Sequence, residues 1–233
     1  MKNNSVTASQ IQSVTSFQDL IQTPFEGVVN ALCWNRTLEG DFAEIVGKIV
    51  CHENMCVVLP QDLLALELTE QGQLAREIIL NDLKILEEQG TAPVLNVIKN
   101  YERDEDFPFF PTDVYSFHVD RSPVPTDTIL CTYYGASSAI IPNAEVTQKI
   151  LIPEIRAALL ELYEGEEGEG FEAFLSDCFF DLHYELHPEA EPIHLGIGHL
   201  WKLAIDYPER KVLPCVHRAP KEGEGVSRLL LIC

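Results

Sequence analysis

His118 and Asp120 stand two residues apart in the segment VYSFHVD, and His217 closes a later apolar run, VLPCVH. Residues i and i+2 of a strand share a face, so an imidazole and a carboxylate from the first segment converge on one point. Two imidazoles and one carboxylate on one side of an ion make the facial triad that holds non-haem Fe(II), with the other side open. Arg228 follows on the next apolar run, RLLLIC, beyond a turn from Pro220 to Gly225. Its planar guanidinium grips a carboxylate in two places and so suits the far end of an anionic cosubstrate. The spacing therefore predicts His118, Asp120 and His217 as metal ligands and Arg228 as an anion anchor. Without a metal, the same residues would make a buried Asp–His–Arg network, with His217 packed on Trp201.

These side chains need strands to carry them. Val114 to Asp120, Thr128 to Gly135, Ile193 to Ile205, Val212 to His217 and Arg228 to Cys233 are rich in β-branched, aromatic and other apolar residues and are read as strands. Two earlier strands are expected in Gly27 to Trp34 and Pro93 to Tyr101. Helical spacing of apolar residues marks Asp41 to Val50 and, most clearly, Gln73 to Gln89, which Gly90 stops. Pro153 opens another helix reaching Tyr163, and Phe171, Phe174, Leu175, Cys178 and Phe179 trace a fourth. Between these two helices lies the acidic loop EGEEGEG. Tyr101 to Asp106 is a charged turn, and Phe107 to Pro111 is too proline-broken for a regular element.

With these elements in place, H-x-D, a distant His and a spaced Arg together resemble the Fe(II)/2-oxoglutarate-dependent dioxygenases. FHVDRSPVP, LCTYYG and HRAP followed by RLLLI are also similar to a bacterial family of uncharacterised proteins, a domain of unknown function. That closer likeness runs roughly from Gly27 to Cys233 and brings no activity with it. The dioxygenase resemblance implies a double-stranded β-helix with Fe(II) on His118, Asp120 and His217. It also implies 2-oxoglutarate held through Arg228. Dioxygenases often continue Arg-x-Ser, where this chain has Leu229 and Leu230. The missing hydroxyl is then expected from Tyr133 or Thr132.

Composition narrows the partners. The chain has 233 residues, with Asp+Glu 37 against Lys+Arg 16, for a formal net charge of −21. Nucleic acids and anionic membranes, both bound chiefly through cations, are excluded. A 46% hydrophobic content supports a folded core rather than disorder. The polar stretch Met1 to Phe17 lacks the apolar core of a signal peptide, and no run reaches membrane-span length. Seven cysteines, singly placed in apolar runs, read as buried thiols of a reducing cytosol. The Cys51–Cys56 spacing is a weak metal signal.

Other signals are weaker. Asp181, His183, Glu185 and His187 alternate along DLHYELH and would share a face, but the segment is read as a half-exposed strand or loop. HLGIGH lacks a phosphate-loop pattern, although His199 or Trp201, just ahead of the His217 strand, is a candidate pocket wall. Ser137 and Ser138 do not satisfy a hydrolase elbow.

The expectation is an α+β chain with a flexible tail over 1–20. A single double-stranded β-helix (jelly-roll, cupin-like) domain follows over 21–233, with flanking helices at its start and a helical insertion near 143–180. The expected function is a cytoplasmic oxygenase-like protein using Fe(II) and 2-oxoglutarate on a small molecule or protein side chain. One alternative is a cupin-like or Zn protein, with His183, His187 or His199 as a fourth ligand. The other is a metal-free interaction protein.

Overall fold

Apolar side chains at alternate positions give each strand two usable faces, and two sheets share them. A computed structural model describes residues 9–104, 106–107, 109–221, 223 and 225–233. The first sheet runs, in spatial order, β1 (Ile11–Val14), β2 (Ala31–Trp34), β11 (Leu200–Ala204), β6 (Asp127–Tyr134), β13 (Arg228–Ile232), β4 (Val94–Ile98) and β3 (Met55–Val58). The second runs β10 (Ile193–His194), β7 (Ala139–Ile141), β12 (Val216–Arg218), β5 (Phe117–His118), β9 (His183–Leu186) and β8 (Val146–Gln148). All pairings are antiparallel except β1 on β2. From β4 on, the chain passes back and forth between the sheets: β4, β6, β11 and β13 lie in the first, and β5, β7, β10 and β12 in the second.

Strand β6 is buried over most of its length, so it must be covered on both sides. Ile129, Cys131 and Tyr133 join Leu95, Val97, Leu229 and Leu231 in a core closed by α1 (Phe17–Gln22), α2 (Phe42–Lys48), α3 (Pro60–Leu64) and α4 (Glu70–Glu87). Leu130, with Ile98, Trp201, Leu203 and Leu230, faces Ile140 and Cys215 of the second sheet's side. Helix α4 starts at Thr69, whose side chain accepts from the Gly72 N–H, and it buries Ala75, Ile79, Leu83 and Leu86 along one stripe. The insertion holds α5 (Pro153–Tyr163) and α6 (Glu169–Asp177). Its own small core of Phe110, Ile150, Leu159, Phe171, Leu175 and Phe180 packs the two helices together.

Helix α5 has the expected bounds, although the left-handed residue ending it is Glu164, at φ 56, one position before Gly165. Several expectations need correction. The tail over 1–20 is ordered from Ile11 as β1 and α1, because Asn30 and Ala31 N–H groups bond the Gln10 carbonyl and β1 pairs with β2. Residues 1–8 lie outside the described residues, as do Glu105, Pro108, Glu222 and Glu224 of the expected turns. Cys51 and Cys56 are joined in a disulfide, so the cysteines are not uniformly free thiols. Cys33, Cys131 and Cys215 are buried and free as expected. The strand expected over Ile193 to Ile205 is split, because Gly196 and Gly198 take φ +77 and +82. Among the described residues, no helix is long and apolar enough to cross a membrane.

Candidate metal centre

Strand register builds the site. His217 on β12 stands directly opposite His118 on β5, and His118 stands directly opposite His183 on β9. Partners across a ladder point to the same face, so three imidazoles line up across three neighbouring strands. Ring centroids lie 4.6 Å apart for His118–His217 and 5.7 Å apart for His118–His183. Asp120 lies just past β5, where its carbonyl accepts from the Asp206 N–H at 2.8 Å.

His118, Asp120 and His217 each present a ligand atom, all within 4.8 Å of one another. His118 Nε2 is 3.8 Å from Asp120 Oδ1, and His217 Nε2 is 3.6 Å from Asp120 Oδ2. An ion with bonds of about 2 Å sets its ligands roughly 3 to 4 Å apart, so small side-chain movements suffice to close the shell. On the far side of each ring, His118 Nδ1 meets the Ser116 carbonyl at 2.8 Å and His217 Nδ1 meets the Cys215 carbonyl at 3.2 Å. A carbonyl only accepts, so both Nδ1 atoms carry hydrogen. The Nε2 of each ring then faces Asp120, which is the arrangement metal-binding histidines adopt. The carboxylate is oriented from the opposite sheet by Thr128 on β6, whose hydroxyl donates to Asp120 Oδ2 at 2.7 Å.

For His118 and Asp120 the electrostatics favour the donor forms. Burial, reinforced by His217, pushes His118 down to about 4, which leaves it neutral near pH 7. Burial pushes the Asp120 carboxyl up, but His217, the Thr128 hydroxyl and His118 outweigh it, and the net direction is down. Two imidazole nitrogens and one carboxylate fit a borderline divalent ion. Burial, then His118 and Lys149, push His183 to about 3.

Both buried imidazoles thus protonate below the ordinary value of about 6.5. The unfolded chain takes up their protons first, so stability falls as pH drops from about 6.5 towards the folded values. Between pH 7 and 5 the metal-free protein is expected to lose about 2 kcal/mol for each imidazole. Urea midpoints at the two pH values check this, and a flat profile would contradict it.

The remaining predicted residues are divided by the sheet. Arg228 is buried on β13, and its NH2 donates to Thr132 Oγ1 at 3.1 Å and Ser138 Oγ at 2.8 Å. A register shift between Leu229 and Leu230 follows it. Gly135, at φ +85, lets the two strands close up: a Cβ there would meet the Ser227 carbonyl at 2.8 Å and Arg228 Cα at 2.9 Å. Tyr133 does not join them. It lies on the helix side of β6, where its hydroxyl donates to Asp82 Oδ2 at 2.7 Å and its ring stacks on Phe42. Ser138, set aside in the sequence as a failed hydrolase serine, takes the place expected for Tyr133.

None of the candidate fourth ligands joins the group. His187 Nε2 meets the Thr147 hydroxyl, and His199 Nδ1 accepts from the Arg36 N–H. His183 lies beside the triad, outside the 4.8 Å group, and its buried Nδ1 has no hydrogen-bond partner among the described residues. Asp181 is paired with Arg121 at 2.5 Å, and Arg121 also grips Asp206 at 2.8 Å. Thr128 carries no local signal, because its role depends on the two sheets meeting.

A cleft of about 310 Å³ opens beside His118, Asp120 and His183, walled by Thr112 and Phe179. A roomier cleft of about 650 Å³ near Asn30 and Asn143 contains none of the triad, so donor chemistry rather than volume places the site. No family model, curated protein or solved structure matches this chain.

Proposed function

We propose that this chain is an oxygenase-like protein that binds Fe(II) through His118, Asp120 and His217 and uses 2-oxoglutarate. The observation that carries the reading is the convergence of those three side chains, with both imidazole Nδ1 atoms held by backbone carbonyls. Strand order supports a double-stranded β-helix. Leaving out the inserted β8 and β9, the chain visits the first and second sheets in turn over β4 to β7. It then visits them in the reverse alternation over β10 to β13, as in an eight-stranded jelly roll.

Iron, when bound, supplies the position at which oxygen is activated while the 2-oxo acid is consumed. The chain supplies orientation. Thr128 fixes the Asp120 carboxylate, and the Ser116 and Cys215 carbonyls fix the two rings. Arg228, held by Thr132 and Ser138, binds the remote carboxylate of the cosubstrate by charge-assisted hydrogen bonds. The substrate is a small molecule or a protein side chain, since a net charge of −21 repels DNA.

Anaerobic addition of Fe(II) and then 2-oxoglutarate is expected to produce a visible charge-transfer band that Arg228→Gln weakens. Iron binding without a band would leave the cupin-like or zinc reading. Failure to bind any divalent metal would leave the metal-free interaction protein.

A further inference from the structure

Beyond that reading, the structure points to a second ligand site. We propose that the cleft between Lys149 and Arg218 binds a small oxyanionic group, a phosphate or carboxylate. The cleft has a volume of about 240 Å³, and Arg103, Ser116, Lys149, Tyr184, Arg218 and Lys221 line it. None of the three candidate metal ligands does.

Lys149 is the central observation. It is only 8% exposed, and its ammonium donates to Ser116 Oγ at 3.2 Å and lies 5.0 Å from the Phe110 ring centroid. Among the described residues no carboxylate lies within ion-pair distance of it. A buried ammonium without a counter-charge costs several kcal/mol unless something compensates. Asp113 and Glu185 offset that burial only in part, and Arg218 and Lys221 bring further positive charge to the same cleft. The Arg218 guanidinium sits 4.7 Å from the Phe117 ring centroid, with no carboxylate paired to it among the described residues. Lys221 is exposed at the rim.

Two acids line the same cleft, and both attract Lys149 without forming an ion pair with it. Asp113 is paired with Arg103 at 3.4 Å and accepts from the Tyr115 N–H, while Glu185 is exposed. With a net charge of −21 on 233 residues, the general field repels anions. A positive cleft in that field is therefore a local exception, and an anion entering it would complete the Lys149 environment. The Ser116 and Tyr184 hydroxyls add neutral hydrogen-bonding capacity, which suits an oxyanion with several acceptor atoms.

Calorimetric titration of the metal-free protein with inorganic phosphate, and separately with citrate, tests the site at constant ionic strength. Saturable binding is expected for at least one anion, and which one binds identifies the chemistry. Lys149→Met and Arg218→Gln are each expected to weaken it about tenfold or more, as loss of a charge-assisted hydrogen bond does. Arg218→Gln removes a half-exposed side chain and keeps the assay interpretable if Lys149→Met fails to fold. No saturable binding by either anion, or binding that Arg218→Gln leaves unchanged, overturns the proposal. Because no iron is present and Arg228 is untouched, either result leaves the oxygenase reading to its own test.

Discussion

Asp120→Ala is expected to lower divalent-metal affinity by more than about a hundredfold, the upper end of what loss of an outer-shell partner costs. The carboxylate is the one anionic donor in the group and stands between both Nε2 atoms, 3.8 Å and 3.6 Å away. Thr128→Val, which keeps shape and removes only the hydroxyl aimed at Oδ2, should cost about tenfold to a hundredfold. Chelator competition with Fe(II) under anaerobic conditions, or with Zn2+, measures both. Because Asp120 also accepts the Thr128 hydroxyl, urea midpoints of both variants are measured alongside, and an unchanged midpoint assigns the loss of affinity to the metal site. Unaltered affinity in Asp120→Ala would remove the metal assignment.

The largest stability effect is expected at Asp82→Ala, on the far face of the first sheet. Asp82 Oδ1 pairs with Arg36 NH1 at 2.8 Å, with side-chain exposures of 2% and 9%. Its Oδ2 accepts the Tyr133 hydroxyl at 2.7 Å. Arg36 also donates to the Gly198 carbonyl and lies over the Trp34 ring, so it cannot swing out to solvent without breaking those contacts. Truncating Asp82 leaves a buried guanidinium without its counter-charge and a buried phenol without its acceptor, for a loss of about 3 to 5 kcal/mol. Tyr133→Phe removes one hydrogen bond and should cost about 1 kcal/mol. Chemical denaturation midpoints at pH 7 give both values. A cost below about 1 kcal/mol for Asp82→Ala would mean the network contributes no net stability.

The parts of this molecule legible in sequence were those whose cause is local. Pro153 and the following amphipathic turn set α5, and the helical spacing of Leu74, Ile78, Leu83 and Leu86 marked α4, although its buried stripe takes Ala75 and Ile79 in place of the first two. Strand parity led to the pairing of His118 with Asp120, although β5 ends at His118 and Asp120 lies just past it. Parity also put Thr132 and Tyr133 on opposite faces of β6, so only one of them could meet Arg228. Which one depended on which face the helices cover, and no local pattern encodes that. The short strands β1 and β3 offer four residues each, too few for a periodic signal. The row of three histidines required the register of β12, β5 and β9, and the Cys51–Cys56 bridge required a turn that brings the two together. Those are pairwise facts between segments rather than properties of any one of them.

The back-and-forth path between the sheets has a consequence for how the molecule is made. Neither sheet is a continuous stretch of sequence, so neither can be completed until strands far apart in the chain have all been made. His118 on β5 and Asp120 just past it leave the ribosome before β9 and β12, the strands that flank β5, and Thr128 soon follows. His217 and Arg228 arrive with the last two strands in chain order, β12 and β13, and β13 then inserts between β4 and β6. Pairings this distant in sequence are slow to form, and until they do, the apolar inner faces stand open to aggregation. The three proposed ligands therefore come together late, and a chain cut short before Val216 would carry two of them and an unfilled slot between β4 and β6.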